Sequence, residues 1–446
     1  MKKLILSVLL IPAVFSAQQT VSRDPEIANY VSQVSADSLK SHINKLVSFG
    51  TRHTMSSTTD AKKGIGAARN WVLSKFKNYA KNSDGRMEVF LQSQTIQPDG
   101  KRINQPTDLG NAIAILRGTD PNDKRIFMIG GHLDSRVSDV MNAKDFAPGA
   151  NDDGSGVGAV IESARVLSQS RFPATIVFVA FSGEEQGLLG AKMLAEKAKT
   201  ENWQLEALLN NDMIGNNLTS ETNLINAYQL RVFSEGLPQF DLDKKAQEIR
   251  NLGLENDGEA RQLARYIKEI GERYVDNLEV KLIYRNDRFL RGGDHTSFVN
   301  QGFSAVRLTE FNENYDHQHQ DIRKENGKQF GDLPEFMDFE YFKKNVGVNV
   351  SVLANLAKSP SKPENVKMDV KELTNFTTIH WEKPKNGEVV GYYVLMRETD
   401  SSIWQKKFFT KENSMKLPYS KDNYFFAVQA VNSSGNESLI VIPSVK

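Results

Sequence analysis

His132, Asp134, Asp152, Glu184, Glu185, Asp212 and His295 are the side chains of this sequence whose types and settings could do chemistry. Each lies where an apolar run gives out or in a loop nearby, so residues far apart in the chain could converge. No cysteine is present, so a zinc site would have to be built from His, Asp and Glu. Oxygen-rich sets that include histidine suit zinc, and a carboxylate shared between two ions gives a two-metal centre. In His132-Leu133-Asp134 the one-residue skip lets Asp134 reach back to the ring nitrogen that is not on a metal, fixing the tautomer. In Ser182-Gly183-Glu184-Glu185-Gln186-Gly187, adjacent carboxylates on extended backbone point in opposite directions. One could then bind metal while the other acts as general base toward water.

Each piece also has a plainer reading. A His-x-Asp alone is more often structural than metal-binding. The loop from Ala147 to Gly156 leads into a helix, whose free N–H groups an Asp can cap. That suits Asp153 or Ser155 and leaves Asp152 unexplained. Gly154, Gly156 and Gly158 imitate a dinucleotide fingerprint, but the third glycine is misplaced and the loop is acidic where phosphates would lie. The Glu-Glu pair could equally sit in a solvated turn. Asn211-Asp212-Met213-Ile214-Gly215 and Gly292-Gly293-Asp294-His295-Thr296 complete a joint pattern far more specific than its parts. Only 7 histidines exist in the chain, and two of them fall at such positions.

The order His-x-Asp, Gly-Ala-x-Asp-Asp-x-Ser-Gly, Gly-Glu-Glu-x-Gly-Leu-x-Gly, Asp-Met-x-Gly, Asp-His resembles the M28 family of zinc aminopeptidases, from roughly Ser48 to Asp321. The resemblance implies two Zn2+ ions, one on His132 and Asp212, the other on Glu185 and His295, bridged by Asp152. It makes Glu184 the general base toward a hydroxide between the ions, and Asp134 the partner of His132. It further implies a cis peptide between Asp152 and Asp153, and peptide substrates with a free N-terminus. Tyr315-Asp316-His317-Gln318-His319-Gln320-Asp321 resembles a family loop beside the active site, which makes His317 and Asp321 candidate substrate contacts. A second histidine departs from that pattern, and His317-x-His319 could instead bind metal loosely or lie in a surface loop. Arg285, Arg288 and Arg291 cluster before His295; Arg291 is the candidate to meet the peptide, against solvated charge as the plainer reading. Gly50-Thr51-Arg52-His53 resembles a family signature and reads as structural. The rivals are a same-fold carboxypeptidase, a one-zinc glutaminyl cyclase and a non-catalytic adhesion protein.

These residues need a scaffold, and the sequence describes one. The chain has 446 residues, enough for one large domain and a small one. Short positive Lys2-Lys3, an apolar run from Leu4 to Val14 and small Ser16-Ala17 have the layout of a secretory signal over 1–17, implying a secreted or periplasmic protein. Residues 24 to 80 read as helical. Beyond them, apolar runs at Arg125–Gly130, Ala174–Phe181, Leu205–Asn210, Leu278–Tyr284 and Phe303–Leu308 alternate with helical patterns, among them Gly154–Leu167. This predicts an α/β fold over 18–358, with a mostly parallel or mixed central sheet flanked by helices, in which chemistry gathers at the carboxyl ends of strands. Ser359-Pro360-Ser361-Lys362-Pro363 reads as part of a linker over 359–364. From 365 to 446 the period changes to two, predicting an all-β sandwich. Trp381 and Tyr424-x-Phe426-x-Val428-x-Ala430-Val431-Asn432 resemble the core and tyrosine corner of a fibronectin type III module, expected to serve as a spacer or in surface or polymer contact. A formal charge of +1 argues against nucleic acid or anionic membrane as partner, and no later run is long enough to span a bilayer.

Overall fold

The computed structural model describes residues 23–237 and 239–445, so the segment read as a signal lies outside the described residues. The chain opens with helices α1 (Pro25–Ser32), α2 (Ala36–Val47) and α3 (Gly64–Ala80), followed by strands β1 (Met87–Ile96), β2 (Thr107–Leu116) and β3 (Arg125–His132). Helices and strands then alternate: α4 (Gly154–Leu167), β4 (Thr175–Phe181), α5 (Leu189–Thr200), β5 (Gln204–Asn211), β6 (Gln229–Phe233), α6 (Gln239–Leu252), α7 (Glu259–Tyr274), β7 (Glu279–Ile283), α8 (Asp294–Val299) and β8 (Ala305–Glu310). A small hairpin of β9 (Arg323–Glu325) and β10 (Lys328–Phe330) precedes the long helix α9 (Phe339–Lys358).

The eight strands form one mixed sheet in the order β1-β2-β4-β3-β5-β8-β6-β7. Its middle, β4-β3-β5-β8, is parallel, while β1, β2 and β6 join antiparallel. Every residue of β4 is buried, as an unbroken apolar run covered on both faces requires. Helices α4 and α9 pack on one face, α5 and α8 on the other. Parallel strands end at the same edge, so His132, the Ser182 turn and Asp212 emerge side by side. Buried asparagines lock α9 to that edge. Asn349 and Asn211 exchange side-chain hydrogen bonds of 2.7 and 2.9 Å, and Asn345 donates to the Ile214 carbonyl at 2.9 Å.

Strands β11 (Glu364–Met368), β12 (Thr377–Glu382), β13 (Gly391–Glu398), β14 (Lys406–Thr410), β15 (Ser414–Leu417), β16 (Tyr424–Val431) and β17 (Ser444–Val445) build a sandwich of two sheets, β15-β12-β11-β17 and β14-β13-β16. Trp381, Tyr392, Val394 and Phe426 fill its core.

The module does not hang from a loose tether. The Arg125 guanidinium, paired with Asp123 at 2.6 Å, donates to the carbonyls of Ser359 and Pro360 at 2.8 and 3.0 Å, pinning the stretch read as a linker. Glu437 is buried and accepts two hydrogen bonds of 2.8 Å from Arg273 of α7, while its carbonyl accepts from the Tyr266 hydroxyl at 2.7 Å. Arg397 of β13 reaches Asp257 at 2.6 Å, and Asn436 donates to Asp24 at the foot of α1. A buried ion pair adds little over apolar packing, but losing one partner strands the other charge. Glu437→Ala is therefore expected to destabilise the protein by about 3 kcal/mol while leaving one cooperative thermal transition. A calorimetric scan showing two transitions, with the larger unmoved, would mean that the module folds apart from the rest.

Candidate metal centre

Two trios of ligand-type side chains converge where β3, β4 and β5 end. The first is His132, Asp152 and Asp212; the second is Asp152, Glu185 and His319; within each, the ligand atoms lie within 4.8 Å of one another. Asp152 belongs to both. Its carboxylate lies 3.1 Å from His132 Nε2 through one oxygen and 2.9 Å from His319 Nε2 through the other.

Backbone and buried polar groups hold these side chains in place. The Asp152–Asp153 peptide is cis, as the resemblance implied. Asp153 caps α4, accepting from Gly156 N–H at 2.7 Å, and also from His132 N–H at 2.9 Å and Met213 N–H at 3.2 Å. One carboxylate thus ties together the three chain segments that carry the first trio. Asp332 accepts from the N–H groups of Asn151 and Asp152. Arg52, wholly buried, donates to the carbonyls of Leu133, Pro148 and Gly149, which gives the Gly50–His53 signature a structural task. Arg307 of β8, also wholly buried, lies 3.0 Å from Asp212 Oδ1 and 3.3 Å from Asp287.

Two residues are placed differently from what the resemblance implied. His295 is not in either trio. It is the second residue of α8, with its ring Nε2 2.7 Å from the Asn286 carbonyl and 3.9 Å from Asp287. The loop leaving the carboxyl end of β8 brings His319 to Asp152 and Glu185 instead, with Gln318 donating to Asp152 at 3.0 Å. Asp134 does not grip the His132 ring through its carboxylate, which stands 3.8 Å away; the ring Nδ1 faces the Asp134 carbonyl at 3.0 Å. An N–H there donates to that carbonyl and leaves Nε2 free as a ligand. The Asp134 carboxylate instead accepts from the N–H groups of Gly183, Glu184 and Glu185 at 2.8, 3.2 and 3.0 Å. It shapes the turn that carries the two glutamates.

Residues 111–333 match peptidase family M28, and residues 361–443 match the fibronectin type III domain. A "probable zinc metalloprotease" of Leptosphaeria maculans is 42% identical over 421 residues, covering 94% of this chain and 97% of its own. A second, of Pyrenophora teres, is 42% identical over 424 residues, covering 94% and 87%. The chain belongs to peptidase family M28.

Among solved structures, the LapA aminopeptidase of Legionella pneumophila shares the fold of this M28 peptidase with a TM-score of 0.53 at 19% identity, over 76% of each chain. A leucine aminopeptidase precursor of Bacteroides thetaiotaomicron superposes with a TM-score of 0.50 at 18% identity, over 72% of this chain and 98% of that one.

As a zinc metallopeptidase of family M28, the chain offers donors that fit the ion. Glu185 Oε1 sits 2.7 Å from His319 Nε2 without hydrogen-bond geometry, an approach that a shared cation accounts for. The charge balance agrees. Burial pushes the Glu184 carboxyl well above its usual range; His132 opposes the shift, and Glu185 and Asp212 reinforce it. Burial also raises Asp294, to about 8, and both its oxygens lack hydrogen-bond partners. Burial works against a charged His319, yet Glu185 and Asp152 carry it up to about 10. So many buried carboxylates around two histidines call for added positive charge.

The trios open on a cleft of about 420 Å³ lined by Glu184, Arg102, Arg136, Arg288, Leu290 and Arg291, among others. Arg291 lines this cleft, with Nη1 3.4 Å from the Gln318 side-chain oxygen. His317 turns away and stacks on Phe336 at 3.7 Å, and Asp321 accepts from Ser138 N–H at 3.2 Å outside the cleft. The His319 role had one signal in the sequence, the His317-x-His319 spacing. Arg307 and Asp332 had none, being lone charged residues in apolar or turn-like surroundings.

Proposed function

We propose that this M28 peptidase is a secreted aminopeptidase that binds two zinc ions, one on His132 and Asp212, the other on Glu185 and His319, with Asp152 shared. The observation that carries this reading is the pair of donor trios meeting at Asp152, beside a carboxylate, Glu184, that belongs to neither. Zinc there would supply positive charge against the scissile carbonyl oxygen and lower the pKa of water. Glu184, its proton affinity raised by burial, takes the proton of the attacking water and hands it to the departing amine. Asp134 holds the Glu184 peptide in place while this happens. By the family resemblance, a substrate's free α-ammonium group would lie beside the carboxylates of the centre. Export is supported by the sequence of residues 1–17, and no helix among the described residues is long and apolar enough to cross a membrane.

The test pairs metal analysis with substrates. Two zinc equivalents per chain are expected, together with hydrolysis of aminoacyl-p-nitroanilides and none of their N-acetylated forms. One equivalent, or release of C-terminal residues alone, would overturn the proposal.

A further inference from the structure

Four arginines line the cleft: Arg102, Arg136, Arg288 and Arg291. Arg288 is accounted for by Glu313 at 3.2 Å and Asp287 at 3.4 Å. Among the described residues, the guanidinium groups of the others have no carboxylate hydrogen bond. Among the described residues the Arg102 guanidinium donates only to the Glu185 carbonyl, and that of Arg291 only to the neutral Gln318 side chain. Arg136, in the loop after β3, is mostly buried, and its Nε has no hydrogen-bond partner among the described residues. Among the described residues its one ion-pair partner is the Glu185 carboxylate, 3.7 Å away.

Glu185 is also the carboxylate that the second trio would give to a cation. With that charge committed, Arg136 faces the cleft without an anion. A buried guanidinium is costly unless paired, and its planar fork suits a carboxylate. Counter-charge for the ligand carboxylates does not explain it, because bound cations would provide that.

We propose that Arg136, assisted by Arg102 and Arg291, forms a carboxylate-binding rim. Preferred substrates are then short peptides that bring a free carboxylate into the cleft, either the C-terminal carboxylate of a dipeptide or an acidic side chain next to the scissile bond. This rests on the peptidase reading above and narrows it.

Leu-Gln, Leu-Glu-amide and Leu-Gln-amide separate the two sources. Each would be measured for turnover by the zinc-loaded wild type and for binding to zinc-loaded Glu184→Gln, which reports affinity without chemistry. At least one carboxylate-bearing peptide is expected to exceed Leu-Gln-amide roughly tenfold or more in both readouts, the scale of a charge-assisted hydrogen bond. Arg136→Met should bring that ratio close to one, and Arg136→Lys, which keeps the charge in the same packing, should leave it between. Equal handling of all three peptides by the wild type, or a ratio unchanged in both variants, would overturn the rim. Carboxylate-selective binding without any peptide turnover would sink the aminopeptidase reading and leave the rim standing.

Discussion

Replacing Glu184 by Gln is expected to cut kcat about a thousandfold, within the range that a positioned acid–base group contributes, while zinc content and melting temperature stay near wild type. The substitution keeps the shape of the side chain and removes its ability to take and return a proton. Glu184 is in neither ligand trio, so the ions should not notice the change. Its N–H bond to Asp134 involves only backbone on the Glu184 side and survives. The decisive comparison is kinetics beside metal analysis on the same sample. A variant that loses zinc together with activity would make Glu184 a ligand, and one that retains full turnover would remove it from the mechanism.

The second large effect separates the two histidines that compete for one role. His319→Ala should take the protein from two bound zinc ions toward one and lower kcat/KM by at least about a hundredfold, the scale for losing one charge-stabilising contact. Glu185 and Asp152 would be left facing each other without the ring that bridges them at 2.7 and 2.9 Å. His295→Ala should keep both ions. Its cost falls on stability, about 2 kcal/mol, because a buried side chain is truncated and a cavity opens beside Asp287. Mass spectrometry of the native protein with a thermal melt distinguishes the two outcomes. Loss of an ion from His295→Ala and none from His319→Ala would restore the assignment that the sequence suggested.

That pair shows how far the sequence could be read. His132, Glu185 and Asp212 each end or follow an apolar run that becomes a central strand, while Asp152 precedes α4, and parallel strands must deliver such residues to one edge. The carboxyl ends of β3, β4 and β5 were therefore legible from periodicity alone. Asp153 was legible as a helix cap for the same local reason. His319 lies in a loop whose path depends on what it packs against, and no period marks it. Asp294-His295 carried the stronger motif, but α8 turns His295 toward Asp287. The grip of Asp134 on the Glu184 turn spans about fifty positions of chain and has no local signature.

By itself, then, the sequence determined the α/β class, the runs that become β3, β4, β5, β7 and β8 though not β1, β2 or β6, the β-sandwich at the end and the residue types available for a zinc site, because hydrophobic period and turn chemistry are short-range properties. Only the tertiary structure decided which second histidine meets Asp152, what Arg307 and Arg136 face, and that Glu437 is buried against Arg273. Those contacts join residues remote in sequence, and which charges meet is fixed by packing of the whole chain.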